Sequence, residues 1–319
     1  MKENTSLSIF LTVVIPVYNE YEVLKNLHSR LTSTLASIDQ PIEILYVDDG
    51  SQDGSDKIIY ELKKYDSRIS YLGLSRNFGK EIALTAGLNY AQGELVIIMD
   101  ADLQHPPELI PKFIQIAKQG FDIVYAKPIN RQIESCVKRN LTHIFYKTLN
   151  SVAKIPIPSH ASDFRLLSRR AVDAVKKIKE QHRFMKGLFA WIGFPQKSID
   201  YKMDERFAGK SKWSYFKLWN FAIEGITSFT IMPLKLASYL GLLTAFIAFI
   251  YGIIIITKTL LFGDPARGYP SLMVVILFLG SIQLFTLGII GEYLGRTFNE
   301  TKNRPLYFIK SYFPNNLDI

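Results

Sequence analysis

Two apolar segments near the C-terminus constrain the fold more strongly than any other feature of the sequence. They are LASYLGLLTAFIAFIYGIIIIT at residues 236–257 and SLMVVILFLGSIQLFTLGIIG at residues 271–291. Each contains about 20 uncharged residues, which is enough for a helix to cross the hydrocarbon core of a bilayer. We therefore expect a two-helix transmembrane anchor at residues 233–262 and 271–295, joined by a short external loop at 263–270.

The charges around these segments predict their orientation. Their outer flanks carry the basic residues Lys210, Lys212, Lys217, Lys235, Arg296, Lys302 and Arg304. The link between them carries Lys258, Asp264 and Arg267. The positive-inside rule then places both termini in the cytoplasm, with residues 296–319 as a cytoplasmic tail. Residues 213–229 mix aromatic and charged side chains, as an amphipathic helix on a membrane surface would, although an ordinary domain helix has the same pattern.

The N-terminal part of the chain repeats a strand followed by a helix. The run IFLTVVIPV is rich in β-branched residues and precedes a polar helical pattern at about residues 20–38, and the unit recurs three more times. Four alternations predict an α/β domain, at residues 1–201, whose parallel sheet has helices on both faces. The hydrophobic content of 48% and the mean hydropathy of +0.09 suit such a domain joined to a membrane anchor.

The net charge of +9 would suit nucleic acid, an anionic membrane or phosphorylated substrates. The arginines cluster next to the apolar segments, and the sequence has no nucleic-acid-binding motif, so we expect no nucleic-acid partner. The single cysteine, Cys136, excludes an intrachain disulfide. A basic stretch around Arg139 precedes a predicted helix at residues 141–152 and is a candidate contact region for an anionic acceptor.

Acidic and polar residues follow three of the predicted strands. Asp100 and Asp102 come directly after the apolar strand ELVIIM. Hard carboxylate oxygens suit Mg²⁺ or Mn²⁺, which could bridge a nucleotide diphosphate, although an Asp-x-Asp triplet also occurs in solvated turns. Asp48 and Asp49 end the second strand and could accept hydrogen bonds from a base or ribose. Because ligands of open α/β sheets bind beyond the carboxyl ends of the strands, these groups predict one site.

The motifs resemble those of a known family. PVYNE at residues 16–20, VDDGSQD at 47–53 and DADLQHP at 100–106 are similar, in order and spacing, to the motifs of inverting GT-A (family 2) glycosyltransferases. The stretches DFRLL at 163–167 and RFAGKSKW at 206–213, with the paired apolar segments, resemble bacterial polyprenyl-phosphate glycosyltransferases. The likeness is greatest to bactoprenol glucosyltransferases and extends to dolichyl-phosphate mannosyltransferases.

The resemblance implies a GT-A fold, Rossmann-like and mainly parallel, and it implies roles for individual residues. The nucleotide-binding set is Pro16, Tyr18, Glu20, Asp48, Asp49 and Asp100. The metal-binding set, for Mg²⁺ or Mn²⁺, is Asp100, Asp102 and Gln104, and Asp102 also counts as catalytic. The chain departs from many members at residues 181–184, QHRF, where they have Gln-x-x-Arg-Trp. This departure disfavours a processive synthase and leaves the role of Arg183 open.

The acceptor implied by the resemblance is a polyprenyl phosphate. A phosphate monoester, with a second pKa near 6, is already largely ionised at neutral pH, so a general base is optional. The acceptor-binding set is Arg139, Arg206, Ser211 and Lys212, of which the last three lie in a predicted acceptor loop and interfacial helix at residues 202–232. Asp163 could act near the sugar as an orienting group or base, or it could pair with Arg165 or Arg169.

Together these patterns predict inverting transfer of one sugar from a nucleotide sugar, with UDP-glucose as the first choice, to undecaprenyl phosphate. The expected location is the bacterial cytoplasmic membrane, with the catalytic domain on the cytoplasmic side. GDP-mannose, UDP-N-acetylhexosamines and UDP-aminoarabinose-type donors stay open. Alternatives are a processive polysaccharide synthase and an inactive membrane-anchored binding or assembly subunit. A homo-oligomer is a further prediction, because small residues such as Gly241 and Gly280 permit close helix packing.

Overall fold

The computed structural model describes residues 8–129, 158, 161–202, 204, 232–262 and 268–317. It divides into one unit at Met1–Ala222 and Pro305–Ile319 and a second at Ile223–Arg304. The predicted helices at residues 141–152 and 213–229 lie outside the described residues. The same is true of the predicted acceptor residues Arg139, Arg206, Ser211 and Lys212.

The first unit begins with four strand–helix pairs, as the sequence predicts. They are β1 (Leu11–Val17) with α1 (Leu24–Leu35), β2 (Ile42–Asp48) with α2 (Ser55–Tyr65), β3 (Ile69–Leu74) with α3 (Lys80–Tyr90), and β4 (Leu95–Ile98) with α4 (Ile110–Ala117). A single 3-10 turn at Pro107–Leu109 leads into α4. The unit continues with β5 (Ile123–Pro128), β6 (Arg165–Ser168), α5 (Arg169–Lys177), α6 (Met185–Trp191), β7 (Gln196–Tyr201) and β8 (Ile309–Phe313).

The strands form one sheet in the order β7-β5-β6-β4-β1-β2-β3-β8. The first four strands are parallel, whereas β6 and β8 run antiparallel to their neighbours. The chain moves outward from β1 to β3 and then returns to the other side of β1 as β4. This reversal creates a crevice beyond the carboxyl ends of β1 and β4, which is where ligands bind in open α/β sheets. The predicted mainly parallel sheet is confirmed.

Helices cover both faces of the sheet, which explains why its central strands are buried and mainly apolar. Val13 and Ile15 of β1 share a buried cluster with Leu27 and Leu31 of α1. Val14, which points to the opposite face, lies against α3. There the absence of a side chain at Gly87 is required, since a Cβ atom at that position would lie 2.3 Å from Val14 Cγ1.

We expect Gly87→Val to destabilise the first unit by about 1–3 kcal/mol, because overpacking a close helix–sheet contact forces side chains out of their preferred rotamers. A fall in the thermal or denaturant midpoint would measure the effect. Gln115→Val on the exposed side of α4 is the matched control, since it introduces the same side chain into a helix without a close neighbour. Equal destabilisation of the two variants would contradict the close packing at Gly87.

The C-terminal tail contains a strand that the sequence analysis does not predict. Strand β8 pairs antiparallel with β3, with Leu72 opposite Tyr312. The ring of Phe313 packs edge-on against Tyr60 at a centroid distance of 5.5 Å, and Asn315 N donates to Ser70 Oγ at 2.9 Å. The segment therefore covers the edge of β3, which would otherwise expose unpaired backbone groups.

The second unit consists of α7 (Met232–Phe262) and α8 (Tyr269–Thr301). Both are long and apolar enough to cross a membrane, over Pro233–Ile254 and Val274–Thr301. Their large apolar side chains are exposed; Phe246, for example, is 61% exposed and Leu284 72%. Continuous apolar surface of this kind is unfavourable in water and suits a lipid environment. Helix α8 extends beyond the predicted end at residue 295. By their length and apolar surface, the two helices can anchor the chain in a membrane.

Candidate active site

The loops that follow β1 and β2 are bound to each other. Asn19 N donates to Ser51 Oγ at 3.0 Å, and Gln52 N donates to Asn19 Oδ1 at 2.9 Å. Tyr21 N donates to Asp53 Oδ2 at 3.0 Å. Asn19 has a positive φ of 54°, which asparagine tolerates better than most residues. These bonds fix the two predicted nucleotide motifs as one surface at the carboxyl edge of the sheet.

Three predicted nucleotide-binding residues line this surface. Pro16 pairs with Val47 near the end of β1 and is partly exposed. Tyr18 is 37% exposed, and Glu20 is partly exposed on the same loop. Their side chains are thus accessible to a ligand at the carboxyl edge of the sheet.

The neighbouring acidic residues, Asp48 and Asp49, are buried. Asp48 Oδ1 accepts a hydrogen bond from Ser51 N at 3.0 Å, and its Oδ2 accepts one from the Tyr71 hydroxyl at 3.1 Å. The carboxylate therefore stands at the junction of β2, its loop and β3. It is held in a fixed orientation below the surface formed by the first two loops.

Asp49 has a structural task that the sequence analysis did not foresee. Its side chain is 2% exposed, and its two oxygens accept hydrogen bonds from Phe78 N at 2.7 Å and Gly79 N at 2.9 Å. Burial raises the pKa of Asp49, and the two backbone hydrogen bonds oppose that rise. The contacts fix the loop that leads into α3, so Asp49 has a structural task in this loop besides its predicted place in the nucleotide-binding set.

Asp100, at the end of β4, is joined to Asp163 by a lysine. Lys80 Nζ lies 2.7 Å from Asp100 Oδ1 and 2.6 Å from Asp163 Oδ2. Burial alone raises the pKa of Asp100, but the attraction of Lys80 and a hydrogen bond from His105 outweigh it and lower that pKa to about 2. The structure thus brings together two predicted site residues that are 63 positions apart in the sequence.

Asp163 also contacts a second lysine, since its Oδ1 lies 3.5 Å from Lys186 Nζ. Burial raises its pKa, but Lys186, Lys80 and Arg165 together hold the pKa well below its usual range. Of its two predicted partners, Arg165 stacks over the Phe189 ring and Arg169 pairs with Asp173. The ion pairs of Asp163 are therefore formed with the two lysines, which sequence reasoning missed.

His105 contacts the carboxylate of Asp100. It is buried, its Nε2 lies 3.5 Å from Asp100 Oδ2, and its Nδ1 shares a hydrogen bond of 2.9 Å with the Tyr201 hydroxyl. The imidazole stacks on Phe164 with the ring centroids 5.5 Å apart. These contacts hold His105 in place, and His105 in turn orients the Asp100 carboxylate.

Asp102 and Gln104 lie on the turn after β4. Leu103 between them has a φ of 60°, an uncommon value for a residue with a side chain, and Gln104 N donates to Asp102 Oδ1 at 3.2 Å. Gln104 O accepts a hydrogen bond of 3.3 Å from Asp204 N, in the segment after β7. The turn is thereby tied to the beginning of the predicted acceptor loop.

The donor set fits a divalent cation bound together with a diphosphate. Within the described ranges, no three His, Cys, Asp or Glu side chains form a group that could hold a metal. Mg²⁺ and Mn²⁺ suit one or two carboxylates with phosphate oxygens and water completing the shell. Asp100 and Asp102, on one strand-end turn, match that requirement. Lys80 already supplies one positive charge to Asp100.

Glu81 follows Lys80 and lies against α6, where its Oε2 accepts a hydrogen bond from Met185 N at 3.2 Å. Burial and the nearby Asp163 raise the pKa of Glu81 to about 7, while Lys80 and Lys186 act in the opposite direction. The group therefore changes charge close to neutral pH, beside the lysine that bridges the two acidic site residues.

We expect Glu81→Gln to stabilise the protein at pH 8 and to have little effect at pH 5. An ordinary glutamate ionises near pH 4.5, so the unfolded chain loses this proton at a lower pH than the folded chain does. The free energy of unfolding therefore falls as the pH rises from about 4.5 to about 7. The thermal midpoints of the two proteins at both pH values measure the effect, with a rise of about 2–4 °C for each kcal/mol gained in the free energy of unfolding. Glu22→Gln, on an exposed position, is the control. A Glu81→Gln effect of the same size at pH 5 and pH 8 would contradict the raised pKa.

Comparison with known proteins identifies the class of enzyme. Residues 12–176 match the model of glycosyl transferase family 2, and residues 232–297 match that of the GtrB C-terminal hairpin. The chain therefore belongs to glycosyl transferase family 2 and is a glycosyltransferase. The family inferred from the three strand-end motifs is confirmed.

Similar proteins over nearly the full length of the chain are named as glycosyl transferases too. The chain is 44% identical to the SfII prophage-derived bactoprenol glucosyl transferase of Shigella flexneri, over 94% of this chain and 97% of that one. It is 47% identical to an uncharacterized glycosyltransferase of Synechocystis, over 95% of each chain. A crystal structure of glucosyl-3-phosphoglycerate synthase from Mycobacterium tuberculosis with Mn²⁺ and UDP is similar with a TM-score of 0.44 and 17% identity, covering 69% of this chain and 78% of that one.

Proposed function

We propose that the chain transfers a single sugar from a nucleotide diphosphate to the phosphate of a polyprenyl phosphate, with inversion at the anomeric carbon. The observation that carries this proposal is the presence, in one chain, of the acidic strand-end site and the hairpin of apolar helices. A lipid acceptor explains why a sugar-transfer site is joined to a membrane anchor. The 44% identity to a bactoprenol glucosyl transferase over nearly the full length supports the same acceptor class.

The nucleotide sugar would bind in the crevice between β1 and β4. Pro16, Tyr18 and Glu20 would contact the nucleoside, and Asp48 would support that contact from β2. Asp100, Asp102 and Gln104 would hold Mg²⁺ or Mn²⁺ with the diphosphate. When bound, the cation neutralises charge on the departing nucleotide diphosphate.

The acceptor phosphate would attack the anomeric carbon from the face opposite the nucleotide. A bond forms between that carbon and a phosphate oxygen, the bond to the donor diphosphate breaks, and the nucleotide diphosphate leaves with the electron pair. Because the attacking oxygen is already ionised, no side chain needs to remove a proton. Positioning is the main requirement, and we assign it to the basic and hydroxyl groups of Arg139, Arg206, Ser211 and Lys212.

UDP-glucose is the donor that the likeness to bactoprenol glucosyl transferases favours. Undecaprenyl phosphate is the corresponding carrier, and the lipid-linked sugar would serve cell-envelope glycosylation. The charge bias around α7 and α8 supports a bacterial inner-membrane protein whose termini and catalytic domain face the cytoplasm. Glycines in both helices are compatible with a homo-oligomer.

A donor panel tests this proposal. The purified full-length protein, Mn²⁺ and undecaprenyl phosphate are mixed with UDP-glucose, UDP-N-acetylglucosamine, GDP-mannose or a UDP-aminoarabinose, each labelled in the sugar. We expect label in the lipid fraction with UDP-glucose and weaker or no transfer with the others. The absence of lipid-linked label with every donor would contradict the proposed function.

A further inference from the structure

Lys80 and Lys186 are two lysines of the site to which neither the motifs nor the relatives give a role. We propose that both are phosphate-binding residues, positioned by Asp163, which contact the phosphate groups of the donor or the acceptor. The inference rests on the proposed function, because it supposes two substrates that each carry phosphate. It adds a binding role for the lysines and changes the role of Asp163 from candidate base to positioning residue.

The lysines come from separate parts of the fold and meet at one carboxylate. Lys80 is the first residue of α3, Lys186 is the second residue of α6, and Asp163 precedes β6. Asp163 Oδ2 lies 2.6 Å from Lys80, and Asp163 Oδ1 lies 3.5 Å from Lys186. Each oxygen thus holds one ammonium group, and the two positive charges are kept within a short distance of each other.

Both lysine side chains are partly exposed. The side chain of Lys80 is 40% exposed and that of Lys186 is 23% exposed, so neither is sealed inside the protein. An ammonium group has three N–H donors and acts as a compact point charge. Each lysine can therefore keep its contact with Asp163 and still donate to a phosphate oxygen.

The substrates of the proposed reaction would add negative charge to a cluster whose own carboxylates and lysines largely offset each other. Asp100 and Asp163 contribute two negative charges, and Lys80 and Lys186 offset them. A diphosphate and an acceptor phosphate add several further negative charges, only part of which a divalent cation neutralises. Lysines placed beside the metal-binding carboxylate would stabilise the remainder by charge-assisted hydrogen bonds.

The contact with Asp100 places Lys80 next to the donor diphosphate, because Asp100 belongs to the predicted metal and diphosphate site. Lys186 pairs with the other oxygen of Asp163, so its phosphate can belong to either substrate. The shared chemistry is a phosphate oxyanion. Separate measurements with donor and acceptor distinguish the two sources.

The test compares Lys80→Met and Lys186→Met with Lys179→Met, an exposed lysine outside the cluster. Binding of UDP in the presence of Mn²⁺ is measured by calorimetry, and KM is measured separately for the nucleotide sugar and for undecaprenyl phosphate. Loss of one charge-assisted contact is expected to weaken UDP binding, or to raise one of the two KM values, by about 10- to 100-fold in each cluster variant. Lys80→Arg and Lys186→Arg, which keep the positive charge, should recover part of the loss, while Lys179→Met should match the unchanged protein.

A cluster variant that folds like the unchanged protein, with UDP affinity and both KM values within about twofold, would overturn the role of that lysine. If a methionine variant fails to fold, Lys80→Gln and Lys186→Gln replace it, since glutamine keeps an N–H donor for Asp163 and removes only the charge. The calorimetric arm does not require sugar transfer. A wild-type protein that transfers no sugar contradicts the proposed function, whereas an active wild type with unaffected lysine variants contradicts this inference alone.

Discussion

Asp102→Asn is expected to lower the rate of sugar transfer by at least about a thousandfold, which corresponds to about 4 kcal/mol of transition-state stabilisation. Asparagine has nearly the same shape as aspartate, so the turn after β4 can keep the hydrogen bond from Gln104 N. It lacks the negative charge that strengthens the binding of a divalent cation. The transfer rate at saturating Mn²⁺, together with Mn²⁺ binding in the presence of UDP, measures the two effects separately.

Asp39→Asn is the matched control, since Asp39 is exposed and lies outside the site. It should retain full transfer and metal binding. Unchanged transfer by Asp102→Asn would contradict a metal role for this residue. Unchanged glycosylation in cells that carry only Asp102→Asn would instead favour the assembly subunit considered as an alternative.

Removing the phosphate from the acceptor is expected to abolish transfer, with a fall of at least about a thousandfold when undecaprenol replaces undecaprenyl phosphate. An alcohol is protonated at neutral pH and needs a general base, whereas the phosphate is already ionised. Asp163, which the sequence analysis names as a candidate base, has a strongly lowered pKa because Lys186 and Lys80 outweigh the effect of its burial. A carboxylate of that kind is a poor proton acceptor.

The two acceptors are compared at equal concentration in the same detergent or vesicle, with the labelled lipid product as the readout. Lowering the pH from 7 to 5 should also slow transfer to the phosphate, because the acceptor gains a proton near pH 6. Asp163 and Asp100 should stay ionised over this range, since both have lowered pKa values. Comparable rates with undecaprenol and undecaprenyl phosphate would contradict a phosphate nucleophile.

Much of the fold could be predicted from local sequence patterns. The strand and helix repeat is visible because β1 and β2 are mainly apolar and rich in β-branched residues. The acidic pair at Asp100 and Asp102 lies directly after the apolar run of β4. Uncharged length alone indicates α7 and α8. These features depend on neighbouring residues, so a single sequence reveals them.

The parts that could not be predicted depend on contacts between distant residues. Strand β8 has only five residues, and its pairing with β3 joins segments that lie far apart in the sequence. Lys80 follows Gly79 at the start of α3, and the residues around it in the sequence do not indicate that it belongs to the site. Its pairing with Asp163 depends on where the antiparallel strand β6 enters the sheet.

Asp49 illustrates a different limit of sequence reasoning. Adjacent acidic residues at a strand end look equivalent in the sequence, and both were assigned to the nucleotide. In the structure their side chains separate. Asp48 contacts Tyr71 and Ser51, whereas Asp49 accepts from the backbone of the loop before α3. Only the path of that loop distinguishes their tasks.

The most direct test of the central claim is the structure of the lipid product made by the purified protein from UDP-glucose and undecaprenyl phosphate. Mass spectrometry gives the number of sugars on each lipid, and NMR gives the anomeric configuration. We expect one glucose per lipid, joined to the phosphate in the β configuration, because a single displacement inverts the α-linked donor. A lipid that carries several sugars, an α-linked product or the absence of any lipid-linked sugar would contradict the account.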